Sequence, residues 1–246
     1  MCLRTSFSLL LTFIFCALNP LPAQETGTTL NGHVEGNQYV SPSGVFRVTI
    51  PVIAALGGSI TDTENVVTFQ DSFSTHESIA CFKMDTTQRF EDETRGRKDY
   101  LIWFFSNFVQ ADFEQRFTGA RIESAHFLPK IQSGSLLTYN ILPGGSMFAA
   151  QATVTGIGGT PTAKRGNLVF VNNGYIFVIS IELAEKVLES TAYNKTLAEE
   201  DALLRQRLLD LLGKMSFAAL PAQNSSDKPA ATDKPAAAAP EATPVK

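Results

Sequence analysis

The 246-residue chain has the composition of a protein with a folded core and no strong electrostatic attraction to any class of partner. Hydrophobic residues make up 44% of the sequence, charged residues 18%, and the formal net charge is −4. The charge is mild and no basic block is present, so nucleic acid is excluded as the expected partner. The length allows one sizeable domain or two small ones.

The first 23 residues have the layout of a secretory signal peptide. Arg4 supplies a positive charge, an apolar run covers residues 7–18, and a short turn-forming stretch leads to Ala23. The apolar run is too short to span a bilayer well. We therefore expect export to a periplasmic or extracellular location, with cleavage after Ala23. A lipid anchor on Cys16 and an uncleaved membrane anchor are the alternatives.

The remaining chain is predicted to contain one domain between two flexible segments. Residues 24–36 form a short polar lead, and residues 221–246 are rich in Ala and Pro and lack aromatic side chains. Such segments bury too little apolar surface to offset the entropy lost on ordering. We predict a flexible lead at 24–36, a single α+β domain at 37–220 and a disordered tail at 221–246.

Alternating apolar and polar residues predict β-strands through most of this domain. The strands are expected at 38–41, 44–50, 65–73, 76–84, 121–128, 135–142, 147–155, 164–171 and 175–181. Short connections, such as the Asn-Gly turn at 172–174, favour an antiparallel meander. Ile79 and Cys81 lie opposite Ala80 and Phe82, so this strand is apolar on both faces. A sheet covered on both sides is expected.

Two longer segments change to the period of a helix. Residues 96–117 carry an apolar stripe formed by Ile102, Phe105, Val109, Phe113 and Phe117. The second helix begins at a capping box, Thr196 to Glu199, and carries the stripe Leu197, Leu204, Leu208, Leu211 and Met215. A further short helix is expected at 183–190. The predicted fold class is therefore α+β, an antiparallel sheet covered by helices on both faces in an α/β/α sandwich. A sheet with one covered face is the alternative.

The entry strand at 39–51 (YVSPSGVFRVTIP), the aromatic helix in mid-chain and the closing segment at 211–217 (LLGKMSF) resemble the PsbP-like superfamily. This superfamily is named for an extrinsic subunit of photosystem II. Residues 52–64 and 183–196 depart from its pattern. The resemblance implies the α/β/α fold and a role in binding other proteins or assisting assembly without catalysis. A shared fold does not by itself fix a function.

The aromatic residues of the central helix are the candidate partner-binding site. A helix that buries a single stripe leaves Trp103 and Phe104 partly exposed, next to the basic residues Arg95, Arg97 and Lys98. Aromatic side chains beside basic ones are typical of interface hot spots. We favour packing of the same aromatic residues in the core of a three-layer fold, and the partner-binding site is the alternative interpretation.

The sequence contains no motif that predicts catalytic, metal-binding or cofactor-binding residues. Cys81, the one cysteine beyond the signal segment, lies in an apolar run and is expected to be a buried, inert thiol. The carboxylates at 91–93 are expected in a solvated loop of mixed charge. We favour an exported, non-catalytic binding or assembly module that recognises another protein or an envelope component. The alternative is an extracytoplasmic hydrolase in which His76 or His126 meets a serine and a carboxylate.

We predict that the mature protein begins at Gln24, because the signal peptide is expected to be cut after Ala23. Intact-mass measurement and N-terminal sequencing of the protein isolated from its producing cells test this. A chain that begins at Cys16 with the added mass of a lipid, or one that retains Met1, contradicts the prediction and supports an anchored form.

Overall fold

Eleven strands form two antiparallel sheets in the computed structural model, which describes residues 29–154, 161–189 and 192–218. The predicted signal segment and the predicted tail at 221–246 lie outside these residues. The same holds for the first part of the predicted lead, residues 24–28.

The strands divide between a small and a large sheet. The small sheet contains β1 (His33–Glu35), β2 (Gln38–Val40), β3 (Phe46–Thr49) and β11 (Met215–Phe217), in that order. The large sheet contains β4 (Ser59–Asp62), β5 (Val66–Gln70), β6 (His76–Lys83), β7 (Arg121–Leu128), β8 (Ser135–Leu142), β9 (Ala163–Asn172) and β10 (Tyr175–Glu182). Its order is β4-β5-β6-β10-β9-β8-β7. The sequence predicted one sheet, and the separation of the first strands into a second sheet was missed.

The helices lie in three groups along the chain. They are α1 (Thr86–Arg95), α2 (Arg97–Phe104), a π-helical segment (Phe105–Gln110), α3 (Ala111–Arg116), α4 (Ala149–Val154), α5 (Glu185–Leu188) and α6 (Leu197–Gly213), with a short 3-10 turn at Ala54–Leu56. From α2 to α3 the chain forms one continuous rod, which matches the helix predicted at 96–117. We call this rod the central helix.

Helices cover both faces of the large sheet, and the predicted α/β/α sandwich is confirmed. One face packs against α6 and the small sheet, in a core that includes Phe46, Leu168, Phe177, Ile179, Leu204 and Leu208. The opposite face packs against the central helix, in a core that includes Leu101, Phe104, Phe105, Val169, Ile176 and Val178. Alternate residues of β9 and β10 enter both cores, which explains why these strands are apolar on both faces.

Helix α6 approaches the sheet closely at Gly166. A Cβ atom there would lie 3.0 Å from a methyl carbon of Leu208 and 3.1 Å from the Cβ of Leu204. The absence of a side chain therefore lets the helix lie directly on β9. The capping box at Thr196 is present as predicted, whereas Leu197, expected in the buried stripe, is exposed.

The buried ammonium group of Lys164 connects the start of α6 to the large sheet. Lys164 is fully buried, and its Nζ lies 3.0 Å from Glu200, 2.6 Å from Asp201 and 2.5 Å from Glu123. Lys186 donates a second hydrogen bond to Glu200, at 2.6 Å. Although burial opposes the charged form, these bonds hold the pKa of Glu200 below its ordinary value. The buried charges therefore have the partners that burial requires.

Two segments differ from their predicted structure. Residues 147–155 were predicted as a strand, but residues 149–154 of this segment form α4. Ala149, Ala150 and Ala152 favour a helix, and Ala152 packs against Val187 of α5. The strand prediction was wrong because alternation over so few residues does not separate a strand from a small buried helix.

The residues predicted as a loop of mixed charge form α1 instead. Asp85 accepts a hydrogen bond from the backbone N–H of Gln88 at 2.7 Å, and the Gln88 side chain accepts one from the Asp85 N–H at 3.1 Å. This capping box begins the helix. Glu91 pairs with Arg95 one turn later, so the alternating charges stabilise a helical surface.

Asp62 fastens the N-terminal hairpin to the large sheet. Its carboxylate accepts hydrogen bonds from the backbone N–H groups of Gly32 and Asn31 and from the Tyr39 hydroxyl, at 2.7, 2.8 and 2.7 Å. Burial opposes the charged form, but these donors outweigh it and hold the pKa of Asp62 below its ordinary value. Strand β1, within the segment 24–36 that was predicted to be flexible, is therefore held in place.

We predict that Asp62→Ala lowers the free energy of unfolding by about 2 kcal/mol at neutral pH, because charge-assisted hydrogen bonds are lost. A carboxyl whose folded pKa is lowered stabilises the fold above the unfolded value of about 4, and this contribution is lost as the pH falls through the folded pKa. Urea unfolding from pH 7 down to pH 2 should therefore show the difference shrinking. Glu93→Gln, an exposed change on α1, is the control. A difference that does not depend on pH contradicts the assignment.

Candidate functional site

A cleft of about 420 Å³ opens between the central helix and the large sheet. Its roof comes from the last turn of α2, the π-helical segment and α3, and its floor from β5, β6, β10 and β9. The central helix packs tightly over β8, β9 and β10 but leaves β5 and β6 less covered. The open part of the sheet thus forms one wall of the cleft.

One half of the floor is apolar. Val66, Ala80 and Val178 lie side by side on neighbouring strands, because Val66 pairs with Ala80 and Ala80 pairs with Val178. Phe82 lies two residues further along β6 and is partly exposed at the rim. Phe104 and Phe108 face this half from the roof.

The other half of the floor is polar, and its residues form a row across the sheet. The register pairs Thr138, Asn167, Ser180, Ser78 and Thr68 in sequence on β8, β9, β10, β6 and β5. The Ser180 hydroxyl donates to Asn167 at 2.8 Å, and the Asn167 amide donates to Asn140 at 3.0 Å. These buried polar groups therefore satisfy one another.

The central helix is attached to this polar row by Gln110. The Asn140 amide donates to the Gln110 side-chain oxygen at 2.6 Å, and the Gln110 amide donates to Glu114 at 2.9 Å. Gln110 is the last residue of the π-helical segment. The wider π turn therefore ends where the helix meets the polar part of the floor.

Two guanidinium groups line the polar end of the cleft. Arg165 is 12% exposed, and one of its terminal nitrogens lies 3.5 Å from Glu182. Its Nε is buried without a hydrogen-bond partner in the described part of the chain. Burial lowers the pKa of Arg165, and the charge of Glu182 opposes this effect. Arg116, on the roof, is exposed and pairs with Asp112 at 2.9 Å.

Glu182 forms the buried end of this polar region. Its carboxylate accepts hydrogen bonds from the Ser146 hydroxyl at 2.6 Å and from the backbone N–H of Met147 at 3.1 Å. His76 Nδ1 lies 3.8 Å from the same carboxylate. Burial, reinforced by the charge of Arg165, lowers the pKa of His76 to about 3, so this histidine is neutral.

This arrangement differs from the one expected for a hydrolase. Ser146 donates to the carboxylate of Glu182 directly, so the histidine does not stand between serine and acid as in a catalytic triad. His126 lies on β7, with three strands between it and the strand of His76, and its ring faces Tyr139 at 6.2 Å. The structure therefore does not bring the two histidines together. Cys81 is buried, which raises the pKa of its thiol to about 12.

Trp103 and Arg95, two of the predicted partner-binding residues, contact each other. The Arg95 guanidinium carbon lies 5.3 Å from the centre of the Trp103 ring, which is half-buried and packs edge-on against Phe108 at 5.5 Å. Lys98 is exposed on the first turn of α2. Arg97 is partly buried and forms an ion pair with Asp92 at 2.9 Å, which places it in the structure of the helix pair.

Phe104 does not have the exposure that a partner-binding role requires, and the core-packing interpretation holds for this residue. It is 4% exposed and packs in the core, with an edge at the cleft. The exposed apolar residues of the central helix are Ile102, at 42%, and Phe108, at 48%. Ile102 was expected in the buried stripe, Phe108 was expected to widen that stripe, and neither was among the predicted partner-binding residues. The rotation of the central helix about its own axis determines which of these residues are buried. In the sequence, the density of aromatic residues at 100–108 was the one signal that more than a single face of the helix is apolar.

Comparisons with known proteins find similarity in the fold alone. Neither a family model nor a curated protein matches the sequence. The solution structure of a cyanobacterial PsbP from Synechocystis is similar with a TM-score of 0.47 and 13% identity, covering 78% of this chain and 99% of that one. The Ran-binding protein Mog1p of Saccharomyces cerevisiae is similar with a TM-score of 0.42 and 11% identity, covering 77% and 96%.

A cyanobacterial PsbP is thus among the similar structures. A protein of Bacteroides thetaiotaomicron is also similar, with a TM-score of 0.41 and 10% identity, covering 76% of this chain and 50% of that one. None of the helices in the described ranges is long and apolar enough to cross a membrane.

We predict that Phe105→Ala lowers the free energy of unfolding by about 3–5 kcal/mol, because Phe105 is fully buried and its removal leaves a cavity. Phe108→Ala should change it by less than about 1 kcal/mol, because this ring is half exposed. Chemical denaturation of both variants checks the contrast. Equal losses would show that Phe108 belongs to the core and is unavailable for a partner.

Proposed function

We propose that the protein is an exported, non-catalytic binding module that contacts another protein or an envelope component through the outer side of its central helix. The contact surface consists of Trp103, Phe108 and Ile102 with the basic residues Arg95 and Lys98. We call these five residues the outer patch.

The exposure of apolar side chains on the central helix carries this proposal. Phe108 and Ile102 are each more than 40% exposed although the same helix already buries a full apolar stripe. Single exposed hydrophobic residues are common on protein surfaces and need no explanation. Several on one helix beside an aromatic ring are more typical of an interaction site.

The basic residues give this apolar surface positive charges that a partner can recognise. Arg95 lies against the ring of Trp103, and Lys98 is exposed one turn before Ile102. Tryptophan and arginine are the residue types most enriched at interface hot spots, because both combine a large apolar contact with a polar edge. A partner with acidic groups around an apolar contact complements such a surface.

The arrangement around Glu182 supports a function without catalysis. The Ser146 hydroxyl is engaged with the buried carboxylate, and His76 is held neutral by burial. A nucleophilic serine needs a base that accepts its proton and an open approach for substrate. These residues form instead the buried polar end of the sheet.

The N-terminal segment supports a site of action outside the cytoplasm. Its charged, apolar and turn-forming order is that of a signal peptide, and the mature chain would then retain Cys81 as its single cysteine. A buried thiol with a raised pKa is suited to an oxidising compartment, because it does not enter disulfide exchange readily.

We predict that a photo-crosslinking amino acid at position 108 captures one discrete partner in the producing cells. The matched control is the same amino acid at position 90, because Phe90 is an aromatic residue of α1 with 62% exposure that lies outside the outer patch. Trp103→Ala in the position-108 chain should abolish the adduct without lowering the thermal stability substantially. Adducts of equal yield at both positions, or none at 108, would contradict the proposal.

A further inference from the structure

The cleft beneath the central helix has a polarity that changes along its length, in the floor and in the roof alike. On the floor, Phe82 lies in the same row as Val171 of β9, because both pair with Ile176. Six residues along β9, or about 20 Å, separate this apolar row from the polar row that contains Arg165. A binding site this long and this asymmetric fits a long ligand with two unlike ends.

The roof repeats the gradient in the same direction. Phe104 and Phe108 lie above the apolar rows, and Arg116 lies twelve residues beyond Phe104, about 18 Å along the helix. Phe113 continues the apolar lining between them. The apolar end is therefore lined by aromatic rings, and the opposite end is bordered by the guanidinium groups of Arg165 and Arg116 and by Asp112, which pairs with Arg116.

The guanidinium groups at the polar end favour a negatively charged group on the ligand. Arg165 lines the cleft and is mostly buried, and its contact with Glu182 is long at 3.5 Å. An anionic group in the cleft would compete with Glu182 for this weakly paired guanidinium. Ser78 and Ser180 on the neighbouring strands present hydroxyl groups on the same side.

We propose that this cleft binds a single-chain amphiphile with an anionic head group, such as a fatty acid. The apolar chain lies on Val66, Ala80 and Val178, and the carboxylate reaches Arg165 and Arg116. The volume of about 420 Å³ suits a chain of about a dozen carbons, taking about 30 Å³ for each group the size of a water molecule.

This proposal goes beyond the outer patch, because the cleft lies on the inner side of the same helix. Phe108 lines the cleft and also belongs to the outer patch. Other residues allow the two sites to be separated by mutation. Ala80 lines only the cleft, and Trp103 lies outside it.

Isothermal titration with dodecanoate, below its micelle concentration, tests the proposal. We expect one site per chain with a dissociation constant below about 100 µM. Dodecyltrimethylammonium is the matched probe of opposite charge, and it should bind at least tenfold more weakly. Equal binding of the two probes would overturn the assignment of the anionic end, and absence of dodecanoate binding would overturn the site.

Variants of the cleft make the result specific. Ala80→Trp fills the apolar half and should abolish binding, with Val66→Trp as a second filling variant in case the first does not fold. Arg116→Gln should weaken dodecanoate binding about fivefold, as expected for a partly exposed charge pair. Arg121→Gln, which removes an exposed arginine of β7, is the control and should leave binding unchanged. Binding that survives the filling of the cleft, or that falls equally in the control, rules the site out.

Discussion

The row of polar side chains across one face of the large sheet determines where the central helix can pack. Buried polar groups must be hydrogen-bonded, and Thr138, Asn167 and Ser180 satisfy this requirement through one another and through Asn140. The central helix meets this polar region through a polar side chain, Gln110, which accepts a hydrogen bond from Asn140. Its apolar residues pack on the neighbouring rows over β8, β9 and β10, and a cleft stays open over β5 and β6.

The π-helical segment allows the central helix to contact both the apolar half and the polar half of that face. Before it, α2 directs Leu101 and Phe104 into the apolar core, and at its end Gln110 meets Asn140. The additional residue in a π turn changes which side chains point downward, at the cost of poorer backbone geometry, and such segments are frequent at functional sites. Phe108 lies within this segment, is 48% exposed and lines the cleft. The π-helical segment thus supplies residues to the roof of the cleft and to the outer patch.

The sequence predicted what depends on local pattern and missed what depends on pairing between distant strands. The opposite faces of Ile79 and Ala80 follow from alternation, and the start of α6 follows from the capping box at Thr196. The polar row could not be predicted, because Ser78 and Ser180 become neighbours only through the register of β6 and β10. The burial of Phe104 depends in the same way on which face of the central helix meets the sheet.

One face of the large sheet contributes mainly to the stability of the fold, and the other carries the candidate binding cleft. On the α6 side, Gly166 allows a close helix contact, and Lys164 neutralises carboxylates that burial would otherwise make costly. That face is closed, and any change in it is felt by the whole core. On the opposite face, Ala80 and Val66 border open space and contribute less to the packed core. These two positions of the lining can therefore differ in shape without loss of the fold, which is the condition under which a rigid scaffold can carry a binding site.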